Sequence, residues 1–311
     1  MLTSVSGLRI IGWGTALPDR IVTNDELAES LETSDEWITE RTGIRERRVG
    51  GTTTSLGTAA GAAALASAGI TGADIDLVLL ATTTSDQLIP ATAPAIADAL
   101  VVAGGAVDLN AACSGFVYGL IMANGLLSTG MRRILLVGAE TLSTVTDWTD
   151  RSNAMLFGDG AGALVLEATE HGWLRGWDLG ADGSALHILR CAHGGTIEMD
   201  GKEVFRRAVR VMVDSANNAL ERAHLTADDV DLIVPHQANI RIIQAACQRL
   251  GIDEADAAIV IDRFGNTSSA SIPLALVDAL DSGRVHPGDT LLLTGFGAGM
   301  TWASAVLEWA P

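Results

Sequence analysis

The stretch Val107 to Leu127, V-D-L-N-A-A-C-S-G-F-V-Y-G-L-I-M-A-N-G-L-L, runs from a short apolar strand through a cluster of small residues into a helix. The helix repeats apolar residues at Phe116, Leu120, Ala123 and Leu127, near a 3.6-residue period. A strand feeding a buried helix is the building unit of an α/β sheet. Cys113 sits at the junction, where a thiol faces the positive end of the helix dipole and unpaired backbone N–H groups, both of which favour the thiolate. Ala111, Ala112, Ser114 and Gly115 leave room beside it for a reacting group. A lone cysteine is by itself only a small hydrophobe. A role for Cys113 as a nucleophile therefore requires partners elsewhere in the chain.

Working outward, an internal repeat appears. I-T-G-A-D-I-D-L-V-L-L-A at Ile70 to Ala81 recurs 155 residues on as L-T-A-D-D-V-D-L-I-V-P-H at Leu225 to His236. F-G-D-G-A-G-A-L-V-L-E from Phe157 is echoed by F-G-A-G-M-T-W-A-S-A-V-L-E from Phe296. Two matches in the same order predict duplicated halves, 1–170 and 171–311. In each half, strands alternate with helices, which predicts parallel sheets covered by helices. The expected strands include Leu8–Gly14, Ile75–Thr82, Arg133–Gly138, Asp231–Pro235 and Ile259–Asp262, and the expected helices include Thr58–Ala68 and Gly201–Leu220.

The composition limits what such a fold can do. The chain has 311 residues, 48% of them apolar and 4% aromatic, enough to bury a sizeable core. No apolar run approaches the roughly 20 residues of a membrane span, and no basic segment leads into an apolar one at the N-terminus. A cytoplasmic protein with no membrane partner is expected. Three cysteines at unrelated spacings (113, 191, 247) predict reduced thiols, Cys247 in the core. A net charge of −18, with a single lysine, leaves no broad basic footprint for nucleic acid. His187, Cys191 and His193 lack a fourth ligand, so no metal is expected, and Asp159 reads as a turn residue.

Three further features bear on chemistry. His236 ends a strand in P-H-Q-A-N, where ligand sites of α/β sheets lie. Asn266, in R-F-G-N-T-S-S, lies near the second-half counterpart of the Cys113 junction, since the 155-residue offset maps Cys113 onto Ser268. Trp37 and Arg41, four apart on one helix face, can grip a planar ring and its phosphates.

At these residues the chain resembles the β-ketoacyl-[acyl-carrier-protein] synthase III family of the thiolase superfamily. The resemblance rests on S-D-E-W-I-x-x-R-T-G-I-R-E-R, N-A-A-C-S-G-F, F-G-D-G-A-G-A, M-D-G-K-E-V-F-R, P-H-Q-A-N-x-R-I-I, G-N-T-S and G-F-G-A-G-M-T-W, in family order and nearly end to end. It implies two βαβαβαββ halves in a five-layered αβαβα sandwich. It also implies a Cys113, His236, Asn266 triad, with an oxyanion site made by backbone N–H groups of Cys113 and Ala298. The activity implied is decarboxylative condensation of an acyl-CoA with malonyl-acyl carrier protein, initiating fatty-acid synthesis, with acyl-CoA as substrate and no cofactor. Trp37, Arg41, Arg151, Gly201 and Asn239 would bind CoA, and Leu88 and Ile89 would belong to the acyl pocket. Arg206, Arg241 and Arg249 would receive the carrier protein, while Arg210 reads as a solvated surface arginine. A homodimer is implied, with the Thr83 to Pro94 loop near the partner. The alternative is a related enzyme of a specialised, polyketide-type pathway, condensing another starter or transferring its acyl group. Cys113 argues against a non-catalytic subunit, and G-F-G-A-G lacks the second cysteine of biosynthetic thiolases.

Overall fold

Two sheets, each covered on its outer face by helices and sharing one helical layer between them, make up the molecule. The structure is a computed structural model and describes residues 7–310. The first half runs β1 (Gly7–Ala16), α1 (Thr53–Ala68), β2 (Leu77–Ala81), α2 (Ala93–Ala99), β3 (Gly105–Leu109), α3 (Gly115–Leu127), β4 (Arg133–Thr141) and β5 (Asp159–Thr169). The second runs β6 (Leu174–Ala181), α4 (Gly201–Ala223), β7 (Leu232–Pro235), α5 (Ile240–Leu250), α6 (Ser271–Asp281), β8 (Thr290–Gly297) and β9 (Thr301–Glu308). The sheets have strand orders β1-β5-β4-β2-β3 and β7-β8-β9-β6, so β1, β5, β4 and β2 correspond to β6, β9, β8 and β7.

The period-2 alternation of the strands separates the layers. Leu77, Leu79, Ile134 and Leu136 point inward to α3 and α6, and Leu232, Val234, Leu291 and Leu293 meet the same helices from the other sheet. Val78, Leu80, Leu135 and Val137 point outward to α1 and α2. Ile233, Leu292 and Val306 do the same beneath α4 and α5. The result is the αβαβα sandwich, with one continuous core between the halves.

Several boundaries differ from expectation for local reasons. Helix α1 begins at Thr53 rather than Thr58, because Thr52 caps it: its hydroxyl accepts from the Ser55 N–H, and the Ser55 hydroxyl accepts from the Thr52 N–H. Helix α4 continues to Ala223, where His224 takes the left-handed conformation that ends it. The expected strand Ile259–Asp262 does not form. A single bridge, Ile233 to Ala257, stands where the fifth strand would lie, and Ile261–Phe264 is a helical turn. The Gln237 side chain replaces the missing ladder, accepting from the Val260 N–H at 3.0 Å and donating to the Ala258 carbonyl at 3.0 Å.

Candidate active site

Helices α3 and α6 point their N-termini into the seam between the halves. Each is preceded by a short 3-10 turn, Ala112–Ser114 and Ser268–Ala270. Ala112 and Ser268, 156 residues apart, share the same left-handed φ of 48°. The structural counterpart of Cys113 is therefore Ser269, not Ser268; one extra residue has entered the second half between strand β7 and this turn. The left-handed residue before each counterpart turns the chain sharply into the helix.

Cys113, His236 and Asn266 line one cavity of about 560 Å³, with Ala298, Gly201 and Asn239 also in its wall. The two halves meet closely here. A Cβ on Gly297 would lie 2.6 Å from the Cys113 nitrogen and 2.8 Å from the Ala112 Cβ, so only glycine lets β8 approach the junction. A Cβ on Gly295 would fall between the His236 Cβ, at 3.5 Å, and the Cys113 carbonyl, at 3.7 Å. The Asn266 amide is fixed from behind: its Oδ1 accepts from the Ser268 N–H at 2.9 Å, which leaves Nδ2 as the free donor.

Electrostatically, burial dominates. It pushes the Cys113 thiol up to about 12, with the Ser268 hydroxyl pulling down and the Glu140 charge pushing up. Burial thus works against the thiolate that the helix N-terminus favours. Burial lowers His236 to about 3, which keeps the imidazole neutral at ordinary pH. The site therefore contains a thiol, a neutral imidazole and an amide, suited to donating hydrogen bonds toward a developing oxyanion.

A shallower groove shares Gly201, Met155 and Met199 with the cavity and continues outward past Trp37, Arg41, Lys202 and Arg241. Arg41 and Arg151 both lie over the Trp37 indole, 4.3 and 4.6 Å from its ring centre. A flat ring held between Trp37 and Arg151 needs about 7 Å, two contact distances. Arg151 therefore has to swing outward from its bond to the Glu32 carbonyl to admit one. Asn239 caps α5 and donates to the Arg41 carbonyl, while Arg241 donates to that of Glu40, joining the groove wall to α5.

Other expected residues lie elsewhere. Leu88 and Ile89 are 77% and 83% exposed and do not line the cavity of this chain, because their loop is turned outward. Asp86 holds one end of that loop on the N-terminus of α1, and Asp108 holds the N-terminus of α2 just beyond it. Arg206 is exposed and already paired with Glu203, Arg210 is exposed beside Asp214, and Arg249 is exposed on the last turn of α5. Asp159 is no turn residue. It is fully buried at the start of β5, accepts from Gly50 N, Ser143 N and Ser143 Oγ, and is raised by burial against those bonds. Among the described residues, no group of three or more His, Cys, Asp or Glu is placed to hold a metal.

Two parts of the site escaped the sequence. Asp182 to Glu198, whose sequence carries no regular apolar period, forms the roof: a 3-10 segment (Gly183–Ile188) and a small hairpin (Leu189–Cys191 with Ile197–Met199) place Leu186, Leu189 and Ile197 over the cavity. Glu140, fully buried at the end of β4, accepts from Thr82 Oγ1, both N–H and Oγ1 of Thr83 and Thr84, Ser268 Oγ, and both N–H and Oγ of Ser269. It ties the two halves together directly behind Cys113. A lone glutamate in the apolar run I-L-L-V-G-A-E was the available signal.

Comparison with known proteins fits this geometry. Models of 3-oxoacyl-[acyl-carrier-protein (ACP)] synthase III match residues 107–183, and of its C-terminal part residues 220–309. The β-ketoacyl-[acyl-carrier-protein] synthase III 1 of Bacillus cereus is 46% identical over 307 residues, covering 96% of this chain and 98% of its own. The chain belongs to the β-ketoacyl-[acyl-carrier-protein] synthase III family. Among solved structures of synthase III, that of Aquifex aeolicus superposes with a TM-score of 0.95 at 41% identity, covering 97% of this chain and all of that one (100%). The priming β-ketosynthase of the R1128 polyketide pathway also superposes with a TM-score of 0.95, at 39% identity, covering 100% of this chain and 98% of that one.

Proposed function

We propose that the chain condenses an acyl-CoA with malonyl-acyl carrier protein, with loss of carbon dioxide, to prime fatty-acid synthesis. The observation that carries this reading is the convergence of Cys113, His236 and Asn266 on one cavity that opens toward the Trp37 groove. In the first step the Cys113 sulfur forms a bond to the acyl carbonyl carbon, and the CoA sulfur leaves and takes up the thiol proton. With the thiol raised by burial, that proton has to depart as the bond forms. In the second step the malonyl carbon–carboxylate bond breaks, and its electrons pass into an enolate whose oxygen is met by His236 and the Asn266 amide. The enolate carbon then attacks the acyl-Cys113 carbonyl, and Cys113 leaves as a thiolate that recovers a proton. The N–H groups of Cys113 and Ala298 would meet the oxyanion of both acyl-transfer steps. A neutral His236 suits this role, since a charged imidazolium is not needed to donate.

Trp37, Arg41 and Arg151 would hold the nucleotide of CoA, with Gly201 and Asn239 beside its pantetheine arm. Arg206, Arg241 and Arg249 would meet the acidic carrier protein, by local attraction between two proteins that are both acidic overall. A homodimer, in a cytoplasmic setting, goes with this reading. Among the described residues, strand β3 has one unpaired edge, and Val107, Met122, Leu88 and Ile89 are exposed apolar side chains. Incubation with a panel of acyl-CoAs and malonyl carrier protein should give a ketoacyl carrier product, lost in Cys113→Ala. No product from any short or branched starter would refute the reading. Light scattering should give twice the 32.3 kDa chain mass, and a stable monomer would refute the dimer.

A further inference from the structure

The protons around His236 can be placed one at a time. Its Nδ1 lies 2.6 Å from the Ser271 Oγ, and both side chains are buried. The same serine oxygen faces the backbone N–H of Gln237 at 3.4 Å, a group that can only donate. One side of the oxygen is thus taken by a donor. Among the described residues, Nδ1 is the only acceptor that the Ser271 hydroxyl meets.

We propose that Ser271 is a positioning residue: by donating its proton to Nδ1 it fixes His236 in the tautomer that carries hydrogen on Nε2. The opposite tautomer would aim a second N–H at the serine oxygen and leave a buried hydroxyl proton unmatched. The Phe296 ring, edge-on at 5.4 Å and 69°, packs against the imidazole and limits its rotation. Nε2 is left to face the cavity, as a donor. The Asn266 amide is set in the same way by the Ser268 N–H. One short segment, residues 266 to 271, therefore holds both side-chain donors in their donating state before any substrate arrives. This role rests on the proposed condensation, in which His236 donates to the enolate oxygen, but the tautomer itself can be measured without substrate.

The test is long-range ¹H–¹⁵N correlation on the full chain labelled with ¹⁵N-histidine, using His236→Asn to identify the His236 signals. The expected result is a pyridine-type Nδ1 and a pyrrole-type Nε2. A pyrrole-type Nδ1 in the wild type would overturn the proposal, whatever the enzyme's activity proves to be. In Ser271→Ala a mixture of tautomers is expected, and the condensation kcat should fall roughly 10- to 100-fold, as when metal-bound histidines lose the partner of their other ring nitrogen. Acylation of Cys113 should change far less, and Ser271→Thr should restore both tautomer and rate. A Ser271→Ala protein with the wild-type tautomer and rate would also refute the role. A wild type with the expected tautomer but no condensation would refute the proposed function alone.

Discussion

Glu140→Gln offers a quantitative test of how the two halves are joined. The carboxylate gathers eight donors, three from threonine hydroxyls, two from serine hydroxyls and three from backbone N–H groups. Several are short: Thr84 Oγ1 at 2.6 Å, Ser269 Oγ at 2.8 Å and Ser268 Oγ at 3.0 Å. A glutamine would keep its oxygen toward the threonines, where most donors converge, and turn its amide NH₂ toward the serines. The serine hydroxyls can rotate to accept, but the Ser269 N–H cannot. Bonds to a charged group are worth about 1 kcal/mol more than neutral ones, and relief of the buried charge offsets part of that loss. A net destabilisation of about 3 kcal/mol is expected, which lowers Tm by roughly 4–5 °C in a chain of 311 residues. Removing the negative charge beside Cys113 should also speed its alkylation at fixed pH, since Glu140 pushes that thiol up. Calorimetry and iodoacetamide kinetics on one sample read both effects. An unchanged Tm together with an unchanged alkylation rate would refute this role for the buried charge.

Other perturbations test the site itself. With the thiol raised to about 12, alkylation of Cys113 should rise about tenfold per pH unit from neutrality upward, and a plateau near pH 8 would contradict its burial. The unfolded chain protonates His236 below about 6.5, whereas the folded chain does so only near 3. Its stability contribution is therefore complete above pH 6.5 and falls by about 1.4 kcal/mol per unit as pH drops toward 3. Urea titrations of His236→Asn should lack that part of the acid slope, and an identical slope would count against it. Gly297→Ala forces a methyl to within 2.6 Å of the Cys113 nitrogen and should abolish acylation of a still-folded protein; normal acylation would show that the seam yields. Trp37→Ala should raise KM for acyl-CoA at least tenfold with little change in kcat, and an unchanged KM would remove Trp37 from the CoA site.

The duplicated halves were legible because periodicity and repetition report directly on burial. The inward and outward faces of β2 and β4 follow from alternating side chains, and β7 repeats the Ile70 to Ala81 motif. What stayed hidden depended on distant segments. The Gln237 side chain takes the place of a strand's ladder at Ala258 and Val260, which no local pattern signals. Asp159 looks like a turn residue beside its glycines, yet three donors from Gly50 and Ser143 bury it. The repeat offset misplaced the partner of Cys113 by one residue, and only the matching φ of Ala112 and Ser268 corrects it. Ser269, beside the Asn266 motif, acquires its meaning from Glu140, 129 positions away in sequence.

Intact-mass spectrometry through a single turnover tests the proposed chemistry most directly. The protein is loaded with acyl-CoA, freed of excess, and then mixed with malonyl carrier protein. A gain of one acyl mass, absent in Cys113→Ala, followed by its loss with release of carbon dioxide and appearance of a ketoacyl carrier product, is the predicted result. An acyl group that loads on Cys113 but remains there when malonyl carrier protein is added would contradict the condensation and leave acyl transfer to another acceptor as the reading to pursue.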